Sequence, residues 1–397
     1  MELQPVILES QNATSAADGA TTERRTRINR PDEGRGRCKG SRASGRRKDF
    51  SQCMQQSTIP SMSNVISRQQ EHTEPSGRRP CRRGVAAGLG PVAAQDAALE
   101  TQIVDAMNKV YGVHPGFRAN HAKGVVAEGT FRAIPDAARL SKAIIFTGSP
   151  IPVTVRFSDS TGIPNLPDGS ALANPHGMAI KFHLPDGTET DMVINSLKFF
   201  PVSSGADFLD MLLAVAESPP GAPKPTKLEQ FAASHPNMPR ALATVQTPDS
   251  FADEEYYGVN AFILVNDKGE RHGVRYVMAP EKLVHLAAAE AAKKAPDFLI
   301  DELQARVARG PVTFHLKAQL ASPGDSAKDA STPWPNNDEV VELGVLTIDK
   351  AVPDSLEAQK KLLFLPGQLT DGIEPSDDPL IGLRDGAYAL SFSRRNP

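Results

Sequence analysis

The stretch LRDGAYALSFSRR (383–395) places one tyrosine between two arginines. Arg384 and Tyr388 are four residues apart, so on a helix their side chains meet on one face, and Arg395 follows seven residues later. A guanidinium within hydrogen-bonding range favours the phenolate form of a tyrosine, and a ferric ion favours it far more strongly. The same spacing is common on surface helices, so a metal-binding interpretation requires support from other residues.

A histidine and a polar strand are the candidates for that support. His121 lies in RANHAKGVVAEG, between a helical pattern and an apolar run, where an imidazole serves either structure or proton transfer. In VTVRFSDSTGIP, Arg156 and Ser158 alternate with apolar residues and therefore share one face of a strand. If the apolar residues face outward under helices, the polar pair points into a barrel, where a buried arginine needs an anionic partner. A solvated polar face is equally compatible with this pattern.

The elements that must position these residues are mostly strands. Eight segments alternate apolar and polar residues with period two, as a strand with one apolar face does. They are GVVAEGTFRAI, PVTVRFSD, GMAIKFHL, TDMVIN, VNAFILVN, RHGVRYVMA, PVTFHLKAQ and VVELGVLTI. Eight such segments predict an antiparallel sheet closed into a barrel.

Helical spacing of apolar residues marks the remaining elements. It occurs in LETQIVDAMNKVYG, DAARLSKAIIF, ADFLDMLLAVAES, EKLVHLAAAEAAKKA and PDFLIDELQARVA, besides the terminal stretch. The sequence therefore predicts one α+β domain over residues 93–397, with helices flanking the barrel.

Residues 1–92 differ from this body in charge. They hold 16 of the 44 Lys and Arg residues but 9 of the 47 Asp and Glu residues, so the rest of the chain is acidic. Residues 1–92 also contain few aliphatic clusters, and this low hydrophobicity predicts a disordered basic tail. The tail is a solvated segment, a targeting segment, the product of a mis-assigned start codon or a tether to nucleic acid or membrane. RRPCRRGVAAGLGPVAA, from Arg78, is a weak export signal.

Cysteines and long apolar runs are both missing from the body of the chain. All three cysteines lie in the tail, which excludes a disulfide, a thiolate nucleophile and a cysteine metal site from residues 93–397. No stretch of the sequence approaches the roughly 18 continuous apolar residues of a membrane span.

Several of the segments occur together, and in order, in the catalase superfamily. They are RANHAKG, PVTVRFSDSTG, NPHGMAIKFHLPDG, TDMVINSLKFFPV, EEYYGVNAFILVNDKGERHGVRY and RDGAYALSFSRR. The chain resembles the catalase-related peroxidases, compact proteins that keep the catalase barrel, over roughly residues 100–397. The resemblance implies an antiparallel eight-stranded β-barrel enclosing haem b, with flanking helices.

The resemblance assigns roles on the two sides of the haem. His121 matches the distal histidine, the general acid and base that would move the peroxide proton. Ser158 matches the serine that orients this histidine, and Asn195 matches the distal asparagine, although SLKFF after it departs from the catalase pattern by one position. Tyr388 matches the tyrosine that ligates the haem iron, and Arg384 matches its guanidinium partner.

Three further arginines match residues that pair with the haem propionates or flank them. They are Arg118, Arg156 and Arg395. Full catalases continue well beyond the proximal tyrosine, whereas only nine residues follow Tyr388 here. We therefore expect a shortened access channel that admits molecules larger than hydrogen peroxide.

The implied function is a haem-dependent peroxidase of the oxidative stress response. It would reduce hydrogen peroxide or organic hydroperoxides with a small organic electron donor, with weak catalase activity. One alternative is a hydroperoxide-rearranging haem enzyme similar to allene oxide synthase, which needs an apolar channel. Another is a non-catalytic haem-binding protein, which would need no distal base. We expect no nucleic-acid partner, a monomer or homodimer, and a periplasmic or cytoplasmic location.

Overall fold

A computed structural model describes residues 91–335 and 338–396. The predicted disordered tail, residues 1–92, lies outside the described residues except for its last two. The export-signal-like stretch from Arg78 lies outside them up to Gly90. The location that this stretch suggested therefore stays a prediction, as does the domain boundary at residue 93.

Ten strands form one antiparallel sheet in the described part of the chain. They are β1 (Gly124–Ala133), β2 (Ile151–Asp159), β3 (His176–His183), β4 (Glu189–Asn195), β5 (Tyr256–Tyr257), β6 (Phe262–Val265), β7 (Arg271–Pro280), β8 (Val312–Leu320), β9 (Val340–Ala351) and β10 (Ile373–Pro375). The ring β1-β2-β3-β4-β5-β7-β8-β9 closes because β9 pairs with both β8 and β1. The predicted eight-stranded barrel is confirmed. Strands β5 and β10 were missed, since two or three residues are too few to show a period.

The interior of the barrel is an apolar core. Val155 and Phe157 of β2 lie in it, fully buried among side chains such as Phe182 and Phe314. Because side chains alternate along a strand, Arg156 and Ser158 face the outside of the barrel. Of the two alternatives for this polar pair, the one in which it points into the barrel is therefore wrong. Close packing of aliphatic and aromatic groups fills that space.

Helices cover the outside of the sheet. They are α1 (Pro91–Tyr111), α2 (Gly205–Ala216), α3 (Lys227–Ser234), α4 (Asn237–Leu242), α5 (Ala288–Ala291), α6 (Phe298–Arg309), α7 (Ser355–Lys360) and α8 (Leu380–Arg395). Helix α3 starts in a capping box, in which the Thr226 hydroxyl accepts from Glu229 N–H and the Glu229 carboxylate accepts from Thr226 N–H. Among the described residues, no helix combines the length and hydropathy of a membrane span.

Two predicted helices are wrong. DAARLSKAIIF forms two short 3₁₀ turns, because the Ser141 hydroxyl between them accepts from Ala143 N–H and donates to a distant carbonyl. In EKLVHLAAAEAAKKA only α5 is helical. Before it, the amides of Val284 and Leu286 donate to carbonyls of another segment, and His285 forms a bridge with Pro248. Tertiary hydrogen bonds override the helical pattern there.

Helices α1, α2 and α8 pack together through an apolar cluster that includes Ile103 and Met107 of α1, Leu212 of α2 and Leu383 of α8. This packing fixes α8 beside the outer face of β2, β3 and β4. The terminal stretch singled out in the sequence is thus a helix, as its spacing predicts.

Candidate functional site

A cavity of about 640 Å³ lies outside the barrel, between the outer face of β2–β4 and the helices α1, α2 and α8. All the predicted site residues except Ser158 line it: Arg118 and His121 before β1, Arg156 and Asn195 on strands, and Arg384, Tyr388 and Arg395 on α8. Ser158 lies beside His121. The size is that of a ligand site. Two of its walls carry the polar groups, and each wall is built differently.

The first, here called the sheet wall, consists of His121, Ser158, Gly177 and Asn195. Strand register brings the last three into one row, since Ser158 pairs with Gly177 and Gly177 with Asn195. The His121 ring lies over the glycine, where a Cβ would come within 2.9 Å of the imidazole. A side chain at position 177 would therefore displace the ring.

His121 is held in an uncommon backbone conformation. Its φ is +55°, in the left-handed region that non-glycine residues rarely adopt, and its Nδ1 lies 3.0 Å from Ser158 Oγ. Burial, together with the charges of Arg156, Arg118 and Arg384, lowers the pKa of His121 to about 3. The imidazole is therefore neutral at pH 7 and able to accept a proton.

Asn195 ends strand β4 at the edge of the sheet wall. Its Oδ1 accepts a hydrogen bond from Leu197 N–H at 2.8 Å, which fixes the orientation of the amide. The amide NH₂ is then the group that can donate into the cavity. The structure thus brings Asn195 beside His121 and Ser158, as the resemblance implied.

The second, here called the helix wall, consists of Arg384, Tyr388, Ser391 and Arg395 on α8. Arg384 Nε donates to Tyr388 Oη at 3.2 Å, and another nitrogen of the same guanidinium donates to Val193 O on β4 at 3.3 Å. The two walls are also joined directly, because Ser391 Oγ accepts from the backbone N–H of Ala119, two residues before His121, at 3.1 Å.

Behind the helix wall, Asn260 holds Arg384. Its Oδ1 accepts from Arg384 Nη1, and its Nδ2 donates to Asp378 Oδ2 at 2.7 Å. Asn260 is buried, with 1% of its surface exposed. The sequence analysis missed this residue, although an asparagine inside the predicted strand VNAFILVN signals a buried polar contact.

Three guanidiniums converge at one end of the cavity. Arg118 and Arg395 both donate to Leu362 O, at 2.8 and 2.6 Å, and Arg156 donates to His121 O at 2.8 Å. Among the described residues no carboxylate lies within ion-pair distance of any of the three. Burial and the charge of neighbouring arginines lower the pKa of Arg156 to about 9 and the pKa of Arg118 well below its usual value. Burial alone lowers the pKa of Arg395 to about 10. Uncompensated positive charge of this kind favours an anionic ligand.

Comparison with known proteins agrees with this geometry. The family model described as Catalase matches residues 84–395. A catalase-related peroxidase of Mycolicibacterium paratuberculosis is 38% identical over 299 residues, which cover 74% of this chain and 94% of the relative. One from Synechococcus elongatus is 34% identical over 299 residues, with 74% and 88% covered. The chain belongs to the catalase family.

Relatives that are named catalases extend well beyond the matched region. A Pseudomonas syringae catalase is 29% identical over 77% of this chain but 61% of its own length. Among solved structures, a fungal catalase superposes with a TM-score of 0.63 at 19% identity, covering 81% of this chain and 66% of that one. A bacterial catalase gives a TM-score of 0.62 at 21% identity, with coverages of 82% and 67%. These two structures show that the catalase fold is shared.

Two more site residues of this catalase-family protein escaped the sequence analysis. Gly177 appeared only as part of a strand, and its lack of a Cβ matters because the His121 ring occupies that space. Gln359 of α7 accepts from Arg156 Nε at 2.8 Å and donates to Gly124 O at 3.2 Å. Nothing in the surrounding sequence indicates that Gln359 reaches the site, because the contact depends on tertiary packing.

Proposed function

We propose that this protein is a haem peroxidase that reduces hydrogen peroxide or organic hydroperoxides with electrons from an organic donor. The observation that carries the proposal is one cavity shared by a neutral imidazole on the sheet wall, a tyrosine–arginine pair on the helix wall and three arginines without acidic partners among the described residues. Relatives named catalase-related peroxidases support the same activity.

The residues present fit haem. A haem carries two propionates and a metal that needs an axial ligand. Arg118, Arg156 and Arg395 would hold the propionates, and the Nε of Arg395 is buried without a partner among the described residues. Tyr388 would ligate the iron through its phenolate oxygen, while Arg384 Nε stabilises the charge on that oxygen. The noncovalent haem b is the form that we propose.

When bound, the haem would supply the redox chemistry, two electrons that cleave the O–O bond of the peroxide and that the organic donor would restore. His121 would accept the proton of the attacking peroxide oxygen and deliver it to the departing oxygen, which leaves as water or as an alcohol. Ser158 Oγ keeps the imidazole in one orientation. The Asn195 amide would donate to the peroxide as charge develops on it.

The lining of the cavity supports an organic donor. Beyond the polar walls, α2, α3 and α4 contribute apolar side chains, among them Phe208, Met211, Leu228 and Met238. An aromatic donor or an organic hydroperoxide would bury its apolar part there. The rearranging haem enzyme and the non-catalytic haem-binding protein are not favoured, since the similar relatives are named peroxidases and His121 is available as a base.

The first experiment reconstitutes the purified chain with haem and records its absorption spectrum beside that of Tyr388→Phe. We expect stoichiometric binding with a tyrosinate-ligated ferric spectrum that is lost in the variant. Tyr276→Phe is the matched control, because this buried tyrosine belongs to the barrel interior and its hydroxyl has no partner among the described residues. An unchanged spectrum in Tyr388→Phe, or no stoichiometric binding by the natural chain, would contradict the proposal.

A further inference from the structure

Four buried ionisable side chains lie behind strands β2 and β3, and no step above uses them. They are Lys123, Asp159, Asp168 and His176, here called the buried polar cluster. The Lys123 ammonium pairs with Asp168 and donates to two backbone carbonyl oxygens, at 2.8 and 3.0 Å. Asp159 Oδ1 lies 3.4 Å from His176 Nε2, across a register pair of β2 and β3.

Protein stability does not by itself account for these groups. Both ring nitrogens of His176 lack a hydrogen-bond partner among the described residues, and the carboxyl of Asp159 has only the neighbouring carboxyl of Asp168 to share a hydrogen bond with. The Asp159 and His176 side chains are 1% and 0% exposed, and the His176 ring packs against Phe251 of the apolar core. Replacing such groups by apolar residues of similar volume is often neutral or stabilising. Their presence therefore calls for a role beyond holding the barrel together.

The cluster adjoins every group that fixes the His121 imidazole. Lys123 comes two residues after His121, and its backbone carbonyl accepts from Asp159 N–H at 3.1 Å, which ties this segment to β2. Asp159 directly follows the serine that bonds the imidazole, and His176 directly precedes the glycine that lies under its ring. Because side chains alternate across a strand, Asp159 and His176 lie on the opposite face of β2 and β3 from Ser158 and Gly177. A contact between Asp159 and His176 therefore joins the same two strands that carry the serine and the glycine.

Two carboxyl groups of the cluster lie close together. Burial and the neighbouring carboxyl of Asp168 raise the pKa of Asp159 well above its usual range, which favours its neutral form. Burial lowers the pKa of His176 to about 3, so its imidazole is neutral. The Asp159–His176 contact is thus a pairing of two neutral polar groups, which an amide can imitate at position 159.

We propose that the buried polar cluster positions His121, fixing the strand register and backbone that aim its imidazole into the cavity. The proposal rests on the proposed function, in which His121 moves the peroxide proton. Lys123, Asp159, Asp168 and His176 are positioning residues: they touch neither substrate nor cofactor.

The test is the double variant Asp159→Leu/His176→Leu in the full haem-loaded chain. Its unfolding free energy should equal or exceed that of the natural chain, and its haem spectrum should be unchanged, because the helix wall is intact. The second-order rate constant for peroxide should fall by about tenfold or more, since misplacement of a catalytic group by an ångström has effects of that order. A crystal structure of the variant should show the Nδ1–Oγ bond between His121 and Ser158 broken.

Two further variants separate positioning from general damage. Asp159→Asn keeps a neutral polar group of the same shape and should stay within about twofold of the natural rate constant. Arg306→Leu/Asp253→Leu removes a partly buried ion pair that lies away from the cavity lining and should leave the rate constant unchanged.

A rate constant within about twofold of the natural value in Asp159→Leu/His176→Leu would overturn the proposal, as would an equal fall in the ion-pair control. Should the double variant not fold, His176→Leu alone is judged by the same two criteria. If neither folds, the cluster serves the fold itself and the positioning role is refuted. Were the natural chain inactive with peroxide, the proposed function would fail, while the crystal structure would still decide the geometry at His121.

Discussion

The helix wall and the sheet wall serve one cavity but are assembled differently. Arg384, Tyr388 and Arg395 come from a single helix, so their relative positions follow from helical spacing alone. Ser158 and Asn195 come from strands that meet through their register, and His121 comes from the segment before β1, which hydrogen bonds join to Ser158 and Arg156. A substitution on α8 is therefore expected to change the role of the substituted residue alone. A substitution on the sheet wall is expected to move the other residues of that wall as well.

The sharpest test of this difference compares a methyl group placed in the sheet wall with one placed on α8, the helix that carries the helix wall. Gly177→Ala puts a Cβ 2.9 Å from both the His121 ring and Ser158 Oγ. We expect the rate constant for peroxide to fall about 100-fold with haem still bound, because the imidazole must move. Stopped-flow kinetics on the haem-loaded protein measures this.

Gly382→Ala is the matched change on α8. A Cβ at position 382 meets nothing within 4 Å, so activity should be unchanged. Stability should rise by about 0.5–1 kcal/mol, since alanine is the better helix former. Equal losses of activity in the two glycine variants would remove the distinction between the walls.

The arginines of the two walls are also expected to differ in what their loss changes. Arg395→Met removes a guanidinium of the helix wall, and haem affinity should drop by about 10- to 100-fold, the loss typical of a charged hydrogen bond. The rate constant of the haem-bound form should stay near the natural value. Arg156→Met should lower affinity and rate constant together, because Arg156 also holds His121 O. Haem titration measures the affinities, and stopped-flow kinetics measures the rate constants. Equal falls of the rate constant in the two variants would contradict this division of roles.

The pH dependence of the sheet wall is the third test. Burial and the nearby arginines lower the pKa of His121 to about 3, so the imidazole remains an unprotonated base as pH falls below its ordinary value. The rate constant for peroxide should therefore stay level through pH 6.5 and decline only well below pH 5, by the sign of this shift. In Arg156→Gln the decline should begin at a higher pH. Half-maximal activity of the natural chain near pH 6.5 would contradict the burial of the base.

The smallest effect is expected where the walls are joined. Ser391→Ala leaves the N–H of Ala119 without its acceptor and should lower the unfolding free energy by about 1 kcal/mol, with little change in activity. Ser393→Ala is the control, since that exposed hydroxyl donates only to a carbonyl of its own helix. Chemical denaturation of both variants gives the comparison. A large loss of activity in Ser391→Ala would mean that the bond aligns the walls as well as joining them.

The sequence predicted the helix wall more completely than the sheet wall, and the reason is physical. The helical period fixes both spacing and face, so Arg384 and Tyr388 could be paired from their positions alone. A period of two shows that Arg156 and Ser158 share a face, but not whether that face lies inside or outside the barrel. Strand β2 is buried almost throughout on both faces, so the alternation of polar and apolar residues does not show which face points into the barrel.

The groups that sequence reasoning missed depend on contacts between distant segments. Asn260 reaches Arg384 across 124 positions, and Gln359 reaches Arg156 across 203. The placement of His121 beside Ser158 came from the resemblance to the catalase-related peroxidases rather than from any local pattern. The closed antiparallel barrel, by contrast, was predicted from alternating segments and is confirmed, although VNAFILVN forms β6 outside the eight-stranded ring and β5 within the ring was missed.

The left-handed backbone at His121 has an evolutionary consequence. A non-glycine residue in that conformation carries a strain of about 1–3 kcal/mol, so glycine or asparagine at position 121 would relax the chain locally. A descendant released from selection for peroxide turnover could gain stability by substituting this one residue. Among homologues of this chain, the residue type at position 121 should therefore distinguish those that turn over peroxide from those that have lost this activity.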